Sequence, residues 1–79
     1  MKNHNYYMQR AIELSKQSIS NGGGPFGAVI VKDGEIIAES SNSVTQDNDP
    51  TAHAEVNAIR KAAKAMNTFN LSGTTIYSS

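Results

Sequence analysis

Two adjacent residues, Asp33-Gly34, constrain this chain more than any others. They separate the apolar, β-branched run Ala28-Val29-Ile30-Val31 from a second extended stretch, Ile36-Ile37-Ala38. Asp-Gly accepts the positive φ angles of a tight two-residue turn whose twist matches the flanking strands. The sequence therefore predicts a hairpin of strands over residues 26–32 and 35–40. The first strand is apolar at successive positions, which suits a central strand covered on both faces. The second alternates with Glu35 and Glu39 and suits an edge.

Helical periodicity flanks the hairpin. Over residues 6–20, Met8, Ala11, Ile12, Ser15 and Ile19 fall on one stripe, with Arg10, Glu13, Lys16 and Gln17 directed to water. Asn21-Gly22-Gly23-Gly24-Pro25 supplies residues that end a helix. A phosphate-cradling loop is the alternative reading, but no helix and no Lys-Ser/Thr pair follows. Residues 41–51 have turn composition. Residues 52–66 form the strongest helical pattern, with Val56, Ile59, Ala63 and Met66 as the expected buried stripe and Arg60, Lys61 and Lys64 towards solvent. Asp49 or Thr51 can cap its start, and Pro50 suits the approach to a first turn. A connection over 67–73 leads to a third strand over 74–79. A strand reached through a helix is normally parallel to its neighbour, so an α/β fold with a mixed sheet is expected. Three strands and two helices leave one sheet edge open, as in the front part of a larger domain.

Composition narrows the function classes. The chain has 79 residues, seven basic and seven acidic side chains, and no cysteine. This describes one small, neutral domain without disulfides. Its apolar runs fall far short of the roughly 20 residues needed to cross a bilayer, and no signal-peptide pattern opens it. A soluble, cytoplasmic protein is expected. The absence of a Lys/Arg cluster argues against a large nucleic-acid footprint.

The residues that can carry chemistry centre on Asp49-Pro50-Thr51-Ala52-His53-Ala54-Glu55. An imidazole is a good zinc ligand, and a carboxylate beside it can move a proton to and from water. Positions i and i+2 do not share a face of a regular helix, so His53 and Glu55 can converge only at its first turn. Taken alone, the pair is a weak signal and reads more readily as a surface His and Glu. Asn42 can close a turn or offer an amide to a ligand, and Phe26 can fill a core or present its ring. His4 is a second imidazole near the N-terminus.

Together, Pro25-Phe26-Gly27-Ala28-Val29-Ile30-Val31, Lys32-Asp33-Gly34, Asn42 and Asp49-Pro50-Thr51-Ala52-His53-Ala54-Glu55 resemble the cytidine/deoxycytidylate deaminase superfamily, most closely the bacterial guanine deaminases. The resemblance implies a three-layer α/β/α fold on a mixed five-stranded sheet, with residues 1–79 as the N-terminal part of a single deaminase domain. It implies a zinc ion bound by His53, Glu55 as the proton carrier, and a purine base met by Asn42, Phe26 and the segment around Ala54. The implied reaction is hydrolytic deamination of guanine to xanthine and ammonia by the complete protein, as a homodimer. Deamination of tRNA adenosine, another nucleoside or cytosine is the alternative. The family completes its zinc site with P-C-x-x-C, and this sequence has no cysteine. The 79 residues alone are therefore expected to hold catalytic zinc weakly or not at all and to be inactive. A non-catalytic role as an interaction piece is the alternative from another class.

Overall fold

The computed structural model describes residues 3–42, 53–68 and 70–79. The chain runs α1 (His4–Ser20), β1 (Gly27–Lys32), β2 (Glu35–Ser41), α2 (Ala54–Met66) and β3 (Thr75–Ser78). The strands form one sheet in the order β2-β1-β3, with a helix on each face. All the expected elements are present. The loop expected over 41–51 lies, beyond Ser41 and Asn42, outside the described residues, as do the caps assigned to Asp49 and Thr51.

The hairpin forms as the Asp-Gly pair dictates. Asp33 has φ 53° and Gly34 φ 79°, the double positive φ of a type I′ turn. Beyond the turn, Val31 pairs with Ile36 but Ile30 pairs with Ala38. Ile37 is thus an extra residue on β2, a β-bulge. β1 is central and buried along nearly its whole length.

Sheet pairing corrects one expectation. Both β1–β2 and β1–β3 are antiparallel, so no neighbouring pair among the described strands is parallel. The crossover rule holds in a different form. β2 and β3, joined through α2, run in the same direction, but β1 is inserted between them. Both therefore end at the edge of the sheet where β1 begins.

The helices bury different stripes from those that hydrophobicity alone suggests. In α1 the buried residues are Tyr7, Ala11, Leu14, Ser15 and Ser18, while Ile19 is 56 % exposed. In α2 they are Ala54, Ala58 and Ala62, whereas Ile59 is 44 % exposed and Val56, Ala63 and Met66 are only partly covered. Both stripes keep helical spacing but are rotated from the expected ones. In α2 the small side chains let the helix approach the sheet closely, and the large β-branched ones are displaced to its flanks. One core holds Tyr7, Ala11, Leu14, Val29, Val31 and Tyr77; the other holds Ala28, Ile30, Ala38 and the three α2 alanines.

Both helix ends close with the same motif. Gly22, at φ 83°, donates to the Ile19 carbonyl while Gly23 donates to that of Ser18. Asn67, at φ 55°, donates to Lys64 while Thr68 donates to Ala63. This is the left-handed closure that Gly and Asn favour, and it confirms the helix-stop reading of the glycines. Arg10 ties α1 to β2 through a two-pronged ion pair with Glu39 and also meets Glu13. The Arg10 hydrogen bonds hold the Glu39 carboxyl below its ordinary range, against an opposing effect of partial burial.

Candidate active site

The site end of the molecule is set by strand direction. β2 and β3 both finish there, with Asn42 just past β2 and Ser79 just past β3 donating its N–H to the Gly27 carbonyl at 3.0 Å. α2 begins there, so the N–H groups of its first turn and its positive dipole end face the same region. The carboxyl ends of strands beside a helix N-terminus are where open α/β layers bind ligands.

His53 is the N-cap residue of α2, extended at φ −71° and ψ 156°, with its ring exposed and no side-chain cap bond. The expected start at residue 52 therefore moves to Ala54. Glu55 lies in the first turn and is exposed. His53 stands outside the helix and Glu55 inside it, which is the break in helical geometry that an i, i+2 pair requires.

Asn42 is brought to His53 from the other side. Its Nδ2 lies 3.5 Å from His53 Nδ1. Its backbone is clamped twice: the N–H donates to the Phe26 carbonyl at 3.3 Å, and the carbonyl accepts from Ser18 Oγ at 3.4 Å. Only 9 % of Asn42 is exposed, so its amide is held in place by its surroundings. Phe26 lies just before β1 and is 47 % exposed, so its ring is not core. A Cβ added at Gly24 would meet the Phe26 ring at 3.2 Å and the Asn42 side chain at 3.8 Å. Gly24 thus leaves space for an aromatic face and an amide to stand side by side.

Ala54 differs from the other four candidates. It is 0 % exposed and its methyl group packs with Ala28, Ala58 and their neighbours. His4 is also separate: it lies in the first turn of α1, where its Nδ1 hydrogen-bonds the Tyr77 hydroxyl and it shares a cavity with Asp33 and Gly34 at the opposite end of β1. It cannot join His53 at a common metal. Sequence reading missed Ser18 and Asn57. Both act on backbone carbonyls, a role that leaves no residue pattern.

A catalytic zinc takes about three protein ligands and keeps one open position. His53 offers an exposed imidazole, and Glu55 a carboxylate one turn-start away. Among the described residues no group of three His, Cys, Asp or Glu side chains could hold a metal ion. The described residues therefore fit one corner of a zinc site and do not form the whole site.

Residues 1–79 match the cytidine and deoxycytidylate deaminase zinc-binding region. The chain belongs to this deaminase family. It is 55 % identical to a guanine deaminase of Bacillus subtilis over 98 % of its own length and 50 % of that protein. It is 44 % identical to a tRNA-specific adenosine deaminase of Aquifex aeolicus over 91 % of its length and 48 % of that protein. The X-ray structure of the Bacillus subtilis guanine deaminase superposes with a TM-score of 0.96, covering 99 % of this chain and 50 % of that one. A more distant structure, 29 % identical with a TM-score of 0.88 over 92 % of this chain and 44 % of its own, is a mutant solved in complex with 8-azaguanine. The deaminase chain described here thus has the cytidine deaminase-like fold and spans about half the length of the curated relatives it matches. No helix among its described residues is long and apolar enough to cross a membrane.

Proposed function

We propose that this chain supplies the substrate-facing part of a guanine deaminase, hydrolysing guanine to xanthine and ammonia. The observation that carries this reading is the grouping of Phe26, Asn42 and His53 beside the start of α2, in a chain 55 % identical to a guanine deaminase. A purine is flat, with hydrogen-bonding edges. The Phe26 ring offers a face for stacking, and the Asn42 amide both donates and accepts. Water adds to the amino-bearing carbon, Glu55 accepts a proton from that water and returns it to the amine, and ammonia leaves. His53 serves as one ligand of a zinc ion whose further ligands lie outside the described residues. The 79-residue chain alone is proposed to be inactive until that set is complete, and the complete enzyme to be a cytoplasmic homodimer.

Ammonia release from guanine, cytosine, adenosine and tRNA tests this reading, using protein expressed from the gene with whatever coding sequence follows the Ser79 codon. Guanine should be the preferred substrate, and Glu55→Gln should lower turnover by about 10²- to 10⁴-fold. Release from tRNA alone would instead support adenosine deamination, the reading favoured by the Aquifex aeolicus relative. Stoichiometric zinc and turnover in the isolated 79 residues would overturn its proposed inactivity.

A further inference from the structure

The side chains of Asn57 and Lys61 reach the same strand. Asn57 Nδ2 donates to the Ser41 carbonyl at 2.9 Å, and Lys61 Nζ donates to the Glu39 carbonyl at 3.2 Å. Strand geometry shows which carbonyls these are. The Asn42 N–H bonds to Phe26, so Asn42 and Ser40 are the residues whose backbone groups turn towards β1. The intervening carbonyls of Glu39 and Ser41 then point to the outer edge of β2, where no strand among the described residues pairs. Two side chains of α2 thus occupy acceptors that a neighbouring strand would use.

The spacing makes this pairing possible. Residues four apart on a helix rise about 6.0 Å, and residues two apart on a strand rise about 6.8 Å. Lys61 over Glu39 and Asn57 over Ser41 are therefore successive rungs between an antiparallel helix and strand. Beyond the Asn57 rung, His53, just outside the helix, lies beside Asn42 at the end of β2, the contact at 3.5 Å. The Asn57 N–H also donates to the His53 carbonyl at 2.9 Å, so one residue grips both halves of the site.

We infer that Asn57 is a positioning residue: its amide fixes the register of α2 on β2 and so sets His53 and Glu55 against Asn42. This rests on the proposed purine site but goes beyond it, because the bonds of Asn57 described above run to the Ser41 and His53 carbonyls and its role is assigned to neither the base nor the metal. Sliding α2 by a fraction of an ångström costs little against a face of alanine methyl groups, which have no side-chain ridges to interlock. A directional bond to a backbone carbonyl supplies the register that this packing lacks.

The test compares Asn57→Leu, which removes the donor and raises helix propensity, with Asn57→Gln, which keeps an amide. Isotope-labelled protein is followed by hydrogen exchange and by the nuclear Overhauser contact between Asn42 and His53, with 8-azaguanine as the binding probe. In Asn57→Leu the Asn42 amide should exchange about tenfold faster, the contact should vanish and 8-azaguanine should bind about tenfold more weakly. The Val29 and Ile30 amides should exchange unchanged, and Asn57→Gln should recover part of each loss. Retention of the Asn42–His53 contact in Asn57→Leu would overturn the proposal. Equal loss of protection at Val29 and Ile30 would also overturn it, since Asn57 would then only support the fold. If the contact depends on Asn57 but 8-azaguanine binds none of the proteins, the positioning role stands and the purine reading fails.

Discussion

The two faces of the sheet are built from different materials. The α1 face packs Tyr7, Leu14, Val29, Val31 and Tyr77, with the Tyr7 and Tyr77 rings 5.2 Å apart. The α2 face is largely methyl groups of alanine, with Ile30 as its one large, fully buried side chain. Burial energy scales with the apolar area removed from water, so the α1 face supplies most of the cohesion. The α2 face supplies closeness. The helix that His53 caps and Glu55 opens lies near enough to the sheet for the short side chain of Asn57 to reach a backbone carbonyl. Stability and site geometry are thus assigned to opposite sides of one sheet, and substitutions should separate them.

The largest expected effect is at the joint between α1 and β1. A Cβ at Gly27 would lie 2.3 Å from the Ala11 carbonyl oxygen and 2.8 Å from both Leu14 Cβ and Ser15 N. Since backbone atoms cannot rotate away, Gly27→Ala should cost about 3 kcal/mol in chemical denaturation. Unchanged stability would mean that α1 can ride further from the sheet than its packing indicates. Leu14→Ala, a deletion on the same face, should cost about 2–3 kcal/mol while leaving the Asn42–His53 contact intact by nuclear magnetic resonance. Ala58→Leu is the converse change: it should cost about 1–3 kcal/mol, lift α2 and abolish that contact. If Leu14→Ala disturbed the site as much as Ala58→Leu, the division of labour would be wrong.

The smallest effect concerns the ion pair at the sheet edge. The folded Glu39 carboxyl is held below its ordinary value of 4.5. Its contribution is therefore complete above about pH 4.5 and lost as the pH falls through the lower, folded value. Arg10 and Glu39 are each about a third exposed, so the pair should be worth below about 1 kcal/mol. Glu39→Gln should flatten stability against pH on the acid side and change little at neutrality. An unaltered acid profile would show that other carboxylates govern it.

Much of this was legible in the residues. Asp33-Gly34 announced the hairpin, Ala28-Val29-Ile30-Val31 the central strand, and the glycines after Asn21 the end of α1. The α2 stripe was misjudged because hydropathy ranks Val56 and Ile59 above alanine, but a helix close against a sheet selects by size. Ser18 is buried because its hydroxyl meets the Asn42 carbonyl, a partner 24 positions away that periodicity cannot disclose. The neighbour of β3 was missed because the crossover rule gives strand direction and is silent about a strand inserted between. His53 and Glu55 were legible as a motif. Their relation to Asn42 was not, since it depends on how a helix is seated on a strand.

The extra residue in β2 has a consequence for which side of the sheet carries the site. Strict alternation from the turn would put Asn42 in the same phase as Ile36, which packs against the α1 core. Ile37 advances the strand by one, so Ala38 faces α2 and Ser40 and Asn42 follow it. A single uncounted residue thus moves an amide from the face that holds the molecule together to the face that meets the imidazole.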